Sequence, residues 1–316
     1  MESDTAGHIP VLSEQVCRLL EVKPGETVVD ATVGLAGHAM LFFEALAREG
    51  TLVGLDADPA NLAIGRRRLI RAAAVEDGSS QSPIRIELVH ANFAELETVL
   101  SRLGIRSVDV IFADLGMSST QLDDAARGFS FQRDGPLDMR MDPRIKVTAA
   151  DLVNRLGERE LGDLIYHNSQ ERASRRIARR ICEVRRQKRI TTTSALVEVI
   201  ANALRVNPVS RRSRIHPATK TFQALRMAVN EETRCLGALL DAAPRLLAPD
   251  GRIGIVAFHS VEDKAVKLNF RARSSDGIYR IVTKRPVTAE EAERQANPRS
   301  RSAKLRVATR LKEQAG

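Results

Sequence analysis

Apolar residues fall in short runs along the first third of the chain, separated by stretches with helical spacing. Thr27-Val28-Val29-Asp30-Ala31 is the first run, followed by a glycine-bearing turn and a helical stretch from about Gly37 to Arg48. Thr51-Leu52-Val53-Gly54-Leu55-Asp56 is the second, and the helix after it starts at Pro59, where a missing N–H costs little. Residues 84–89 and 108–113 are strands three and four. Near-continuous apolar strands alternating with helices predict a parallel sheet covered on both faces. Gly78-Ser79-Ser80-Gln81-Ser82-Pro83 is expected as a surface loop before the third strand.

After Asp114 the rhythm changes. Residues 135–215 are dominated by helix formers and charge, with no strand of comparable quality. The β pattern returns at residues 252–258, after a helix end and turn over residues 246–251, and again at 278–283 and 304–309. The economical architecture is one doubly wound α/β domain over residues 1–134 and 216–316, interrupted by an all-helical insertion over residues 135–215.

Charge adds a partner to this picture. Lys and Arg outnumber Asp and Glu by 49 to 40, net +9, which favours an anionic ligand. Without a long apolar run or a lipidation signal, nucleic acid is the expected partner, and no membrane. The start, Met1-Glu2-Ser3-Asp4, is acidic and lacks an apolar segment. Cys17, Cys182 and Cys235 are sparse and in no metal-like spacing. Together these imply a reducing, cytoplasmic location and no metal site. With no Trp, two Tyr and nine Phe, rows of stacking platforms are not expected, so contacts should lean on Arg and Lys to phosphate.

Candidate chemistry sits at the strand ends. Asp30-Ala31-Thr32-Val33-Gly34-Leu35-Ala36-Gly37-His38 follows strand one and opens a helix, so a ligand can approach its backbone and free helical N–H groups can meet a carboxylate. Asp56 ends strand two and suits both hydroxyls of a ribose; Asn92-Phe93 ends strand three, where an adenine would lie; Asp114 ends strand four. The turn is not G-x-G-x-x-G, which favours an adenosyl cofactor over a dinucleotide. His259 and Ser260 follow the fifth strand, with Glu262 and Asp263 close by, placed to orient a base or a phosphate, or simply to cap the next helix. Asp138, Arg140 and Asp142 flank a Gly-Pro turn, as substrate contacts or as a salt-bridged hinge. Over residues 216–230, His216, Lys220, Gln223 and Asn230 fall on one helical stripe, opposite Ala218, Phe222, Leu225 and Val229. Between Arg172 and Arg189 there are nine basic residues and one acid, Glu183. Arg172, Arg175, Arg176, Arg179 and Arg186 share one face, opposite Ala173, Ile177, Ile181 and Val184. Mutual repulsion on that face points to phosphate binding. Arg299, Arg301, Lys304, Arg306 and Arg310 form a second basic set.

Several longer blocks are specific enough to name a family. His8-Ile9-Pro10-Val11-Leu12, the run Asp114-Leu115-Gly116-Met117-Ser118-Ser119-Thr120-Gln121-Leu122-Asp123, and Arg127-Gly128-Phe129-Ser130-Phe131 resemble the bacterial 16S rRNA (cytosine-N4)-methyltransferase family. So do residues 134–142, residues 216–224, Phe258-His259-Ser260-Val261-Glu262-Asp263 and residues 297–306. The resemblance runs from about residue 8 to residue 310. It implies a Rossmann-like class I methyltransferase domain with an inserted helical domain, and S-adenosylmethionine as cofactor. It also implies 16S rRNA or the small ribosomal subunit as partner, and a P-site cytidine of the decoding region as target, methylated on its exocyclic N4. Carried over residue by residue, the implied cofactor contacts are Ala36, Gly37, His38, Asp56, Phe93, Asp114 and Gln121.

Two departures stand out. The family usually has Gly where this chain has Ala36, which is tolerable at negative φ and damaging if the turn needs left-handed backbone. A Tyr-Gly-Glu-Glu run is replaced by Asn168-Ser169-Gln170-Glu171. The rival readings are a methyltransferase of another nucleic acid such as DNA, and a non-catalytic RNA-binding or ribosome-assembly protein on the same fold. A homodimer is compatible with the sequence and not required by it.

Overall fold

The computed structural model describes residues 10–75, 84–206 and 216–312. The expectations for Met1–Asp4, for His8-Ile9 and for the loop Gly78–Pro83 lie outside the described residues. In chain order the elements are α1 (Ser13–Leu20), β1 (Thr27–Asp30), α2 (Gly37–Ala45), β2 (Thr51–Asp56), α3 (Pro59–Val75), β3 (Arg85–His90), α4 (Leu96–Arg102) and β4 (Val108–Asp114). Then come α5 (Ser119–Asp123), α6 (Ala149–Arg155), α7 (Glu158–Ser169), α8 (Ser174–Arg185), α9 (Thr193–Leu204) and α10 (Thr219–Val229). The chain closes with α11 (Glu232–Leu246), β5 (Leu247–Ala257), α12 (Ser260–Ser275), β6 (Tyr279–Ile281), α13 (Glu291–Ala296) and β7 (Lys304–Arg310). Two compact units result: one formed up to Gly116 and from Arg234 onward, the other spanning Met117–Thr233.

The first unit is built on a seven-stranded sheet ordered β3-β2-β1-β4-β5-β7-β6. β1 through β5 pair in parallel, and β7 runs antiparallel between β5 and β6. This is the Rossmann-like arrangement that the resemblance implies. The chain winds outward from β1 to β3 on one side and from β4 on the other, so β1 and β4 flank the switch point where such sheets bind ligands. Register is fixed there by Asp30↔Phe112 and Asp30↔Gly54. Successive strand residues face opposite cores: Val29, Leu55 and Ile111 join Leu239 and Phe270, while Val28, Leu52 and Phe112 join Phe42 and Leu69. Both faces are buried, which is why the strands read as unbroken apolar runs rather than as alternation.

Three boundaries differ from the sequence pattern. Residues 246–251, expected as a helix end and turn, are mostly strand. α11 continues past Pro244 to Leu246, and β5 starts at Leu247 opposite Val108. A register shift then places Arg252 opposite Val110, with Asp250 at φ 64 in the irregular stretch. α2 stops at Ala45, because Ala47 and Arg48 take left-handed backbone. β6 is three residues, shorter than the apolar run at 278–283.

The second unit is helical, as its composition implies, and spans Met117–Thr233 where helix-former content alone suggested residues 135–215. Leu161, Ile165, Ile177, Ile181, Leu196, Ile200, Phe222 and Leu225 form its core. α7 packs against both α8 and α10. Among the described residues no helix is long and apolar enough to cross a membrane.

Candidate active site

Three neighbouring strands each end in aspartate, and the turn after β1 stitches them together. The Gly34 N–H donates to Asp56 Oδ2 and the Asp58 N–H to Asp56 Oδ1, both at 2.7 Å. Asp56 is thereby fixed in orientation, and each oxygen retains a lone pair for a hydroxyl. Thr32 Oγ1 accepts the Asp114 N–H at 2.7 Å, tying the β1 turn to the end of β4. Burial pushes the Asp56 carboxyl up to about 6, against the two N–H bonds that lower it.

Asp30 and Asp114 are more extreme. Asp30 is 1% exposed; its Oδ1 accepts the Thr32 N–H at 3.1 Å, and its Oδ2 is buried with no hydrogen-bond partner among the described residues. Burial raises it to about 7, opposed by the Thr32 N–H and reinforced by Asp114 and Asp56. Asp114 Oδ1 is likewise buried without a hydrogen-bond partner. Its carboxyl is also raised to about 7, first by burial and then by Glu262, while the Gly116 N–H and Arg299 pull it down. A buried carboxylate oxygen left without a donor costs about 1–3 kcal/mol or more. Two such oxygens at adjacent strand ends mark a place for a ligand that brings donors or positive charge.

Ala36 is the last residue of the turn, at φ 64, the left-handed geometry for which glycine is the usual choice. Its methyl does not face the open end of the turn. Ala36 is fully buried, and a side chain built on Gly65 of α3 would lie 3.4 Å from the Ala36 Cβ and 3.1 Å from the Gly34 carbonyl. The methyl therefore occupies the space that Gly65 leaves beside the turn. Gly37 opens α2 beneath Pro10: a Cβ there would come within 3.2 Å of the Pro10 Cβ. His38 Nε2 donates to the Val11 carbonyl at 2.9 Å, which fixes the proton of the neutral ring on Nε2. Nδ1 then faces Asp114 Oδ2 at 3.7 Å, so the pair attracts only when a proton lies on one of them.

The other strand-end residues divide between ligand space and support. Phe93, at the end of β3, is part-buried against the core, and Asn92 before it caps the following turn through the Ala94 N–H at 2.9 Å. His259 caps α12: its Nδ1 accepts the Glu262 N–H at 3.4 Å, and its Nε2 lies 3.1 Å from Glu262 Oε1. Ser260, the first residue of α12, is exposed. Asp263 is a strut. Its Oδ1 accepts from Arg306 Nε at 2.7 Å and its Oδ2 from Lys304 at 3.3 Å. Arg306, only 7% exposed, is tied up in that pair, and Arg310 donates to the Leu247 carbonyl. Much of the second basic set thus holds the sheet together rather than facing solvent.

In the helical unit, Gln121 is buried in a capping box: its Oε1 accepts the Ser118 N–H at 3.1 Å, and Ser118 Oγ accepts the Gln121 N–H at 3.2 Å. Asp138 and Arg140 satisfy each other at 2.7 and 2.8 Å, within the helical unit. His216 lies before α10, stacks on Phe131 at 4.3 Å and accepts the Ala218 N–H. Lys220 approaches Glu171 at 3.9 Å, and Gln223 donates to Met227 Sδ at 3.7 Å. Asn230, expected on their polar stripe, is instead buried and anchors a loop. Its Oδ1 accepts the Met141 N–H at 2.7 Å, and its Nδ2 donates to the Met139 carbonyl at 2.8 Å.

The replaced stretch Asn168–Glu171 joins α7 to α8. Gln170 takes left-handed backbone at the end of α7, and Glu171 accepts the Ala173 N–H at 2.9 Å. On α8, Ile177 and Ile181 are buried and Ala173 and Val184 part-buried, with Arg172, Arg175, Arg176, Arg179 and Arg186 exposed. Repulsion along that face is partly relieved from within the unit. Arg175 crosses Gly162 to reach Asp163 at 2.5 Å, and Arg179 reaches Glu158 at 3.6 Å. Arg172, Arg176 and Arg186 have no such partner among the described residues.

The residue that sequence reasoning passed over is Asp30, read as part of the turn but not as part of the site. The signal was there: Val29-Asp30, Leu55-Asp56 and Ala113-Asp114 each close an apolar strand with the same acid. Side by side, these groups fit a ligand carrying a ribose diol and a positive charge, and would oppose the pyrophosphate of a dinucleotide.

The model of the MraW methylase family matches residues 5–311. A protein of Koribacter versatilis named ribosomal RNA small subunit methyltransferase H is 48% identical over 304 residues, covering 96% of this chain and 94% of its own length. The protein of the same name from Acidobacterium capsulatum is 46% identical over 301 residues, covering 95% and 97%. One from a Geobacter species is 43% identical over 320 residues, covering 96% and 98%.

Proposed function

The chain belongs to the MraW methylase family, and from that membership and the acidic crevice we propose that it is an S-adenosylmethionine-dependent methyltransferase of small-subunit ribosomal RNA. The observation that carries the cofactor is the row of aspartates at the ends of β2, β1 and β4, two of them with a buried oxygen that has no hydrogen-bond partner among the described residues. Asp56 would hold the ribose hydroxyls, Phe93 would border the adenine, and the turn from Ala36 to His38 would offer the start of α2 to the methionine carboxylate. When bound, S-adenosylmethionine supplies a methyl group on a positively charged sulfur.

The target we propose is the exocyclic N4 of a cytidine in the decoding region. That amine is a weak nucleophile because its lone pair is delocalised into the ring. Asp114 accepts one of its N–H hydrogens, which holds the nitrogen in line and raises its electron density as the N–C bond forms. The nitrogen that takes the methyl group has to shed a proton. A carboxyl poised near pH 7 is matched to receive it. His38, with Nδ1 turned toward Asp114, stabilises whichever partner holds the proton. On the RNA side Arg172, Arg176 and Arg186 contact phosphates; they position the strand without reading sequence. The site of action is cytoplasmic.

Calorimetry with S-adenosylmethionine tests the cofactor. The wild type should bind it, and Asp56→Ala should weaken binding about tenfold, the scale of one lost charged hydrogen bond. A wild type that gives no heat and no displacement of a fluorescent adenosyl analogue would favour the non-catalytic assembly protein instead.

A further inference from the structure

The helix that follows the fifth strand carries more positive charge than its own packing uses. α12 starts at Ser260, directly past the end of β5, and β5 pairs there with the end of β4 through Asp114↔Val256. Its first turn therefore lies at the mouth of the crevice, and its 16 residues carry it about 24 Å along the sheet. The inner stripe is Glu262, Val266 and Phe270, all buried. At about 100° per residue, Lys264, Lys267 and Arg271 share the opposite face, within about 60° of one another. Lys264 and Arg271 are exposed and Lys267 is part-exposed. We propose that this face binds phosphates, so that the methyltransferase unit itself holds the RNA backbone beside its crevice. The inference rests on the RNA reading above and adds a second surface to α8, which belongs to the other unit.

Stability does not account for the three cations. Lys264 and Lys267, and Lys267 and Arg271, stand three and four residues apart, the spacings at which like charges on a helix repel. None of the three side chains makes an ion pair or hydrogen bond among the described residues. The acids nearby are engaged elsewhere. Glu262 Oε2 accepts the Phe258 N–H at 2.9 Å, and Asp241 of α11 pairs with Arg273 at 3.3 Å. Asp263 stands one turn before Lys267 but is turned to β7, where it holds Arg306 and Lys304. Lys304 pairs in register with Ala257, so β7 begins at the same edge of the sheet. Arg301, three residues earlier, is exposed and has no side-chain partner among the described residues. A row of cations with no acid to neutralise it fits a polyanion whose charges recur along the row. It does not fit a membrane. Leu268 is the exposed large apolar side chain on this face among the described residues, and a helix lying in a bilayer surface needs a row of them.

The test is filter binding of in vitro transcribed small-subunit rRNA over a salt series, on wild type and on the variant Lys264→Gln/Lys267→Gln/Arg271→Gln. Glutamine is a good helix former, so charge is removed and the helix is retained. A control, Arg18→Gln/Lys23→Gln/Arg67→Gln, takes the same charge from exposed positions on the opposite side of the sheet. The α12 variant should lower the slope of log affinity against log salt by about 2–3, from three lost phosphate contacts at about 0.7–0.9 each. The control should leave the slope nearly unchanged. In methylation assays the KM for rRNA should rise in the α12 variant, while kcat and the calorimetric affinity for S-adenosylmethionine stay at wild-type values. Equal slopes for wild type and the α12 variant would overturn the inference and leave the RNA reading intact. An equal fall in the control would also overturn it, because net charge would then be the cause. So would an α12 variant that keeps its rRNA affinity but loses binding to phosphatidylglycerol vesicles, which would assign the face to a membrane. A wild type that binds no rRNA would refute the RNA reading itself. Should the triple variant fold poorly, Lys264→Gln and Arg271→Gln made singly still decide, each lowering the slope by about 0.7–0.9.

Discussion

Ala36 is where the chain breaks a local rule of its own turn, and magnitudes explain why it can. Left-handed backbone costs a non-glycine residue roughly 1–2 kcal/mol. Against that stand the burial of its methyl, about 0.8 kcal/mol, and the extra unfolded-state entropy a glycine would carry, about 0.4–1 kcal/mol. The terms nearly cancel because the methyl lies fully buried in the space left by Gly65. Ala36→Gly should change unfolding free energy by less than about 1 kcal/mol in a urea titration. A gain above about 2 kcal/mol would mean that the methyl contributes no packing. Asp30 makes the opposite case, a residue whose site is held at the expense of stability. Its carboxyl titrates near 7 folded and 3.8 unfolded, so the stability of its neutral form is full below pH 3.8 and is lost as pH rises toward 7. Asp30→Asn should raise the unfolding free energy of the ligand-free protein more at pH 8 than at pH 5.5, by a difference on the order of 1–3 kcal/mol, read from urea titrations. An equal shift at both values would mean that Asp30 carries no buried charge.

At the scale of elements, α8 separates two kinds of arginine that the helical wheel alone treats as equal. Arg175 and Arg179 hold α8 to α7 through Asp163 and Glu158, whereas Arg172, Arg176 and Arg186 have no partner within their unit among the described residues. Replacing Arg172 and Arg176 by Ala should weaken RNA binding and lower the slope of log affinity against log salt by about 2, one per lost phosphate contact. Arg175→Ala with Arg179→Ala should act chiefly on stability, by less than about 1 kcal/mol for each exposed pair. Filter binding at several salt concentrations separates the two; identical slopes for wild type and the Arg172/Arg176 variant would remove α8 from the RNA surface. The strands were the most legible elements, because burial on both faces leaves an apolar run that needs no knowledge of partners. Residues 246–251 were not legible: Pro249, Asp250 and Gly251 carry turn chemistry, yet pairing with β4 across a register shift holds them in β5. Asn230 misled for a related reason, since a wheel gives its angle but not the carbonyl of Met139 that it bonds.

At the scale of the molecule, the order of the sheet follows from the alternation of strands and helices, and the cofactor crevice follows from the order. What the sequence could not display was which charges pair. Asp263 pairs with Arg306, and Asp138 with Arg140, at distances no sequence displays. The three strand-end acids read as separate signals until parallel pairing sets them side by side. The central claim is that this crevice delivers a methyl group to a cytidine amine of small-subunit RNA. The direct measurement is mass-spectrometric nucleoside mapping of small-subunit rRNA, free and assembled, after incubation with the purified protein and S-adenosylmethionine. One cytidine in the decoding region should gain an N4-methyl group, and Asp114→Ala should abolish the product. Methylation only of DNA, or none in any RNA while the cofactor binds, would contradict the account.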